Sequence, residues 1–345
     1  MTRVVFAVGH DETPEAFWRV LAPARALGQK AVVLHDGRET DAANTPAHTR
    51  SQIRASLDAA AELAAGAETL WVHHPTSERA LDVVRQAKEA GAQVVIDLSE
   101  DPHLRSVYGI GPAHTTARLE CLDQALEMAD RVVVATPGLL QAYVDYDVRL
   151  VRPAIILEDS WTVKEPEDPQ MLLWWSDGRQ KTGWADIAPE VQEVLLEEQD
   201  LRLRCVQFAH LHPLVDGLDS KAAGTLSGRF EVVLEGSLSV DENAHLLRRS
   251  AVGCYVALES YPVGDYAQSV SDLPILRVAA LGIPTITTRP DPPPGALHAE
   301  PGEWTKTILS LLHQPDHRAE LSARARRWAE SRSTIAEYTR VLEEV

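Results

Sequence analysis

At 345 residues, 45% hydrophobic and 24% charged, the chain has the apolar content to offset its conformational entropy, which excludes disorder as its main state. Lys and Arg number 33 against 51 Asp and Glu, a net charge of -18, which argues against wrapping a nucleic-acid duplex because phosphates need a positive face. Three scattered cysteines (Cys121, Cys205, Cys254) argue against a disulfide frame or cysteine zinc site, no apolar run of about 18 residues offers a membrane span, and MTRVVFAVGHDE turns acidic too early for a signal peptide, so a cytoplasmic protein is expected.

In chain order, Arg3–Val8 is a short apolar run ending at Gly9-His10, the pattern of a buried strand. Thr13-Pro14 has the residues of a helix start, and Gly28 those of its end. Ala31–His35 reads as a strand, Ser51–Ala65 as an Ala/Leu-rich helix, and Thr69–His73 as a strand. Glu78–Ala90 reads as a helix, Gln93–Asp97 as a strand, Ala117–Ala129 as a helix, Arg131–Ala135 as a strand and Leu139–Tyr146 as a helix. This βα alternation predicts a parallel sheet with helices on both faces. Val163–Gln170 is acidic and rich in proline, a linker composition.

The alternation then restarts. Met171–Trp175, Leu201–Val206, Phe230–Leu234, Val252–Leu258 and Pro284–Thr287 read as strands. Pro189–Glu198, Ala244–Ser250, Ser269–Leu281, Trp304–Leu312 and a long Arg318–Val345 read as helices. The spacing predicts two doubly wound halves, residues 1–160 and residues 170–325, and Arg318–Val345 is too long to serve the second half alone. In that stretch Ile335, Tyr338 and Leu342 share one helical face.

Several motifs carry chemistry, each against a plainer reading. Gly109-Ile110-Gly111 begins like a dinucleotide fingerprint but follows no strand and lacks the third glycine, so it reads as a loop. His210-Leu211-His212, with Asp216 and Asp219 behind, reads as a polar loop, since no further ligand sits at metal spacing. His73-His74 lies at a strand end, where open α/β sheets bind ligands. Ser99-Glu100-Asp101 follows a strand carboxyl end and offers acid/base groups. Arg179 and Lys181, in a strand-to-helix loop, suit a diphosphate. The segment around Ser269 and Ser271 would open a helix, whose free amides attract anions, although ordinary capping uses the same residues.

The order of these pieces carries a resemblance. Phe17-Trp18-Arg19 and Ala22-Pro23-Ala24 open the first half. LECLDQALEMADRVVVATPGLL (Leu119–Leu140) precedes Val151-Arg152-Pro153, and YAQSVSDLPILRVAALGIPTITT (Tyr266–Thr288) comes late. The whole resembles the GT-B glycosyltransferases of the retaining group-1/group-4 type, especially bacterial and phage-borne members. The resemblance implies two Rossmann-like domains facing across a cleft, a final stretch, 326–345, crossing back to the first of them, and transfer of a sugar from a nucleotide-sugar to a hydroxyl. It implies no cofactor and no metal.

It also implies a site. Arg179, Lys181, Ser269, Ser271 and Arg277 fall where the family binds the donor. Gly9, His10, His74 and Asp97 fall on the acceptor side, with His10, Glu100 and Asp101 as candidate catalytic groups. The chain departs from the family at Arg277, where a ribose-binding glutamate is usual, at Val270, where a lysine is frequent, and at Gly183, where related sequences carry a histidine. A guanidinium cannot accept hydrogen bonds from ribose hydroxyls, but it can pair with a phosphate. A non-catalytic GT-B-like partner protein is therefore a rival expectation, and a nucleotide-sugar epimerase a third. The acceptor (glycan, lipid, protein or modified nucleobase) and a homo- or hetero-oligomeric state stay open.

Overall fold

The computed structural model describes residues 4–8, 17–33, 66–107, 116–155, 171–176, 181–208, 226, 228–235, 254–261, 265–332 and 335–344. The expected helices over 51–65 and 244–250, the Thr13-Pro14 helix start, the Val163–Gln170 linker, Gly109–Gly111 and His210–Asp219 lie outside them.

The first sheet contains β1 (Val4–Val8), β2 (Lys30–Val33), β3 (Thr69–His73), β4 (Gln93–Leu98), β5 (Arg131–Val134) and β6 (Val148–Leu150), in the order β2-β1-β3-β4-β5-β6 and parallel throughout. Side chains alternate between its faces. Val5, Ala7, Leu70, Val72, Val94 and Ile96 pack on one side against α2 (Glu78–Glu89) and α4 (Thr116–Met128). Val4, Phe6, Trp71, Val95 and Val133 pack on the other, under α1 (Ala22–Ala26) and the π-turn Phe17–Leu21 that leads into it. The Ser77 side chain caps α2 by accepting the Ala80 amide at 3.2 Å, which satisfies a donor that the helix itself cannot. Between β4 and β5 the chain also forms α3 (Pro102–Val107), and after β5 it forms α5 (Pro137–Ala142).

The second sheet contains β7 (Met171–Ser176), β8 (Arg202–Phe208), β9 (Phe230–Glu235), β10 (Cys254–Glu259), β11 (Thr285–Thr287) and β12 (Ala296–His298), in the order β12-β11-β10-β7-β8-β9, again all parallel. Its helices are α6 (Lys181–Glu197), α7 (Asp265–Ser269), α8 (Leu273–Ala280), α9 (Trp304–His313), α10 (Pro315–Ser331) and α11 (Ala336–Glu344). The architecture is that of two parallel-sheet α/β domains, the GT-B arrangement. Among the described residues no helix is long and apolar enough to cross a membrane.

Four expected helices differ, that over Leu139–Tyr146 by covering Pro137–Ala142 instead. Ser269–Leu281 is two helices, α7 and α8, with a break at Val270–Asp272. Pro274 dictates it: a continuous helix would need the Pro274 N–H to reach the Val270 carbonyl, and proline has none. The long terminal helix is also two, α10 and α11, the chain turning at Arg332, whose carbonyl accepts the Ile155 amide at 3.2 Å. Helix α6 starts at Lys181 and carries Pro189 inside it rather than at its start. The short edge strands β6 and β12 have too few residues for a periodic signal.

Helix α11 lies against the first sheet. Tyr338 stacks on Trp71 with ring centroids 5.5 Å apart, Val341 is buried with it, and Leu342 packs alongside, while Ile335 is only half-buried.

Candidate functional site

In each sheet the strand order reverses once: between β1 and β3 in the first, between β7 and β10 in the second. The crevice beyond the strand carboxyl ends at such a reversal is where open α/β sheets bind ligands. His73 ends β3, His74 follows it, and Asp97–Asp101 runs off the end of the neighbouring β4. Glu259 ends β10, and Ser260-Tyr261 follow.

The two edges meet. The Ser271 amide donates to the Ser99 carbonyl at 3.0 Å, and the Tyr266 hydroxyl donates to Glu100 Oε2 at 2.7 Å. The Thr136 hydroxyl approaches the Ser269 carbonyl at 3.5 Å. Leu104 packs on the cluster of Tyr261, Tyr266, Ala267 and Val270. Glu100, Asp101, Ser269 and Ser271 are all buried in this seam.

Beneath the first edge lies a buried charged network. Asp97 is fully enclosed and accepts from Arg19 Nε at 3.0 Å through both oxygens and from Arg19 Nη2. Arg19 Nη1 donates to the Val151 carbonyl at 2.8 Å. His73 Nδ1 lies 2.9 Å from Asp97 Oδ2. Burial alone would raise the Asp97 carboxyl, but the Arg19 charge and the His73 hydrogen bond outweigh it and hold it well below the usual carboxylate range. Asp97 is thus a supporting anion beneath the edge, with no face toward solvent.

His74 is held differently. Its φ is +47°, uncommon for a residue with a side chain, and its Nε2 receives the Ser99 amide at 3.0 Å with Ser99 Oγ also 3.0 Å away. Asp101 Oδ1 accepts the His103 amide at 2.9 Å and faces the Tyr143 hydroxyl at 3.5 Å. Burial and the Asp101 charge push the Tyr143 phenol well above its ordinary range.

On the second edge Arg289 organises the backbone. It donates to Glu259 from Nε and Nη2, both at 3.0 Å, to the Val270 carbonyl at 2.9 Å and to the Ser271 carbonyl at 2.7 Å. Its guanidinium also sits over the Tyr261 ring, 5.2 Å from the centroid, a cation–π contact. Thr287 Oγ1 donates to the same Glu259 at 2.6 Å. Ser269 ends α7, its hydroxyl donating to the Tyr266 carbonyl at 2.9 Å, and Ser271 sits in the break. Neither opens a helix: the start of α8 is Leu273, preceded by Asp272. The Asp272 carboxyl is raised by burial, with Arg332, Arg289 and Arg152 only partly offsetting it.

Arg277 is buried on α8. Glu259 is taken by Arg289 and Thr287. Gly183 sits where α6 presses on the loop after β10: a Cβ there would lie 2.7 Å from the Ser260 carbonyl carbon and oxygen. The backbone approach that excludes a methyl group also excludes the histidine that related sequences carry. Gly9, His10 and Arg179 lie outside the described residues, and Lys181 is the first residue of α6. Among the described residues no three His, Cys, Asp or Glu side chains are placed to hold a metal ion.

Sequence reasoning gave no site role to Arg19, Tyr266 or Arg289. Arg19 left a signal, a lone cation inside the apolar run FWRVL, which requires a buried anion elsewhere. Arg289 left another, a cation directly after TITT at a strand end.

No protein-family model matches the chain, and no curated protein matches it by sequence. Its fold matches solved structures over nearly its full length. Anabaena HepE, solved in complex with UDP and glucose, superposes with a TM-score of 0.66 at 10% identity, covering 100% of this chain and 99% of that one. A glycosyltransferase from Rickettsia africae gives 0.62 at 10%, covering 99% and 97%. The UDP-GlcNAc 2-epimerase of Neisseria meningitidis, bound to UDP-GlcNAc, gives 0.56 at 11%, covering 98% and 99%. At such identities the likeness is one of fold.

Proposed function

We propose that the chain is a nucleotide-sugar-dependent glycosyltransferase that moves a sugar to a hydroxyl acceptor. The observation that carries this is the contact between the carboxyl-end loops of the two sheets. His73, His74 and Ser99–Asp101 come from one edge, and Tyr261 and Ser269–Asp272 from the other, joined through Ser99 and Ser271. Chemistry of this kind asks for an acceptor and a donor anomeric centre held face to face and for a stabilised diphosphate leaving group. The first edge supplies polar groups suited to a hydroxyl. The second is assigned the donor, with Arg179, Lys181 and Arg277 as the cations for its diphosphate. HepE, which shares the architecture, holds UDP and glucose.

The test is binding and then turnover with UDP, GDP, dTDP and their glucose conjugates. A nucleotide present at about 100 times its dissociation constant adds about 2.7 kcal/mol of stability, a clear rise in Tm. Replacing Arg179 and Lys181 together by Ala weakens that nucleotide at least about tenfold, through loss of charge-assisted bonds. If no nucleotide raises Tm, the reading fails. The epimerase alternative has the fold of the Neisseria enzyme behind it and is separated by product: an epimer of the sugar nucleotide, seen by NMR, in place of transferred sugar.

A further inference from the structure

Asp272 is a carboxyl to which the proposed chemistry gives no task. It precedes Leu273, the first residue of α8, yet its side chain caps no amide of that helix. The residue is half-buried, but its Oδ1 is closed off from solvent and accepts no hydrogen bond from the described residues. Three arginines face it from the elements packed around it: Arg332 from the turn between α10 and α11, Arg289 from the end of β11, and Arg152 from the passage after β6. Among the described residues none of them forms an ion pair with it. Arg289 gives its N–H groups to Glu259 and to the Val270 and Ser271 carbonyls. Arg332 gives Nη2 to the Pro153 carbonyl, with Glu337 and Tyr338 of α11 beside it, and Glu337 accepts the Arg152 amide. A carboxylate oxygen without a donor in a poorly hydrated place is costly, whereas the neutral acid is much less so. Burial therefore raises the Asp272 carboxyl above its ordinary value despite the three cations.

The place of Asp272 makes that cost depend on the two halves being together. On one side of it the Ser271 amide bonds the Ser99 carbonyl of the first half. On the other, Leu273 is buried in one apolar cluster with Trp18 and Ala22, also of the first half. Arg152 and Arg332 stand on the passages that join the halves. Parting the halves lets water reach the carboxyl, and closing them strips that water away. We propose that Asp272 is a proton-operated catch on this joint: the halves close with the proton on Asp272 and loosen when the proton leaves for water. The sign follows from linkage. A carboxyl that holds its proton more tightly when closed makes closure take up a proton. Closure is strongest below the hydrated carboxyl's value of about 3.9 and weakens as pH rises through the raised one. Glu100, which accepts the Tyr266 hydroxyl across the same seam, is the rival carboxyl there. No step of this rests on the transferase reading.

The experiment follows amide hydrogen exchange of the full chain from pH 4 to pH 8, with each rate divided by that of an unstructured peptide at the same pH. In the wild type, protection of the Ser271 amide falls as pH rises, by roughly tenfold for each pH unit between the carboxyl's closed and hydrated titrations. Amides of β3, β4 and β10 keep their protection. Asp272→Asn, which mimics the protonated acid, leaves Ser271 as protected at pH 8 as at pH 4; Asp272→Ser serves the same comparison if the first variant does not fold. In protein labelled with carbon-13 at its aspartate carboxyls, the resonance that the substitution removes titrates above the ordinary aspartate value. Three results overturn the proposal: Ser271 protection that is independent of pH in the wild type, an equal pH dependence in the Asp272 variant, which passes the role to Glu100, or an Asp272 carboxyl that titrates at or below about 3.9.

Discussion

An arginine with no access to water is tolerable only beside an anion, and Arg19 has Asp97, 78 positions away in sequence. Removing one partner of such a pair strands the other and typically costs about 3–5 kcal/mol. Asp97→Asn is therefore expected to lower stability by about that much at neutral pH. The sign with pH follows from the lowered Asp97 pKa in the fold. Its contribution is complete above the unfolded-state value of about 3.9 and is lost as pH falls below that toward the folded value. Denaturant unfolding at pH 7 and pH 3 should show the wild-type advantage large at the first and reduced at the second. An equal gap at both would mean that the charge of Asp97 is not what stabilises. The sequence placed Asp97 and His74 at strand ends, where a ligand belongs, and could go no further. How each of two neighbouring histidines is held depends on Asp97 and Ser99, partners 24 or 25 positions distant.

Elements were legible wherever the apolar period was long. β3, β4 and α2 fall within a residue of their expected bounds because each is a clean β-branched run or amphipathic stripe between turn signals. The helix over Ser269–Leu281 failed for a local reason and a distant one. Pro274 forbids the Val270 bond, and Arg289 then supplies hydrogen bonds to the Val270 and Ser271 carbonyls that the helix would otherwise have provided. The proline was visible in the sequence; the guanidinium's arrival was not. Gly183 shows the same limit. Its place in α6 is unremarkable as sequence, yet the helix there abuts the Ser260-Tyr261 backbone, with the Tyr261 carbonyl carbon 2.8 Å from where a Cβ would be. Gly183→Ala is expected to cost about 1–3 kcal/mol, as overpacking against unyielding backbone does. It should also weaken whichever nucleotide the protein binds, because it displaces the start of α6 from the β10 loop. An unchanged Tm would show that the loop gives way freely.

At the scale of the whole molecule the question is what keeps the two sheets edge to edge. The first sheet has a core on each face, but one of the two cores of the second sheet takes in Trp18 and Ala22 from the first half, clustered with Met171, Leu173, Leu273 and Leu276, so apolar burial is itself part of what joins the halves. The chain joins them along 151–155 and again near Arg332. These passages are tied together by Ile155 to Arg332, by Arg332 Nη2 to the Pro153 carbonyl at 3.0 Å, and by the Arg152 amide to Glu337 at 2.8 Å. Among the described residues the far side of the seam rests on the Ser99, Glu100 and Thr136 contacts, the packing of Leu104 on the Tyr261 cluster and one close backbone approach: a Cβ on Gly138 would lie 2.9 Å from the Gln268 carbonyl oxygen. A connection bonded at one side and lightly held at the other is a hinge in form, with the Ser99–Ser271 bond reporting its closure. Gly138→Val should wedge α5 from α7 without entering either core. Hydrogen exchange at the Ser271 amide should then quicken while amides of β3, β4 and β10 stay protected, since local opening costs less than global unfolding. Small-angle scattering should show a larger radius of gyration, and nucleotide affinity should fall with it. If Ser271 exchanges no faster in the variant, the seam is not what that glycine permits, and the halves are held together by the 151–155 and Arg332 passages and by the burial of Trp18 and Ala22 among second-half residues.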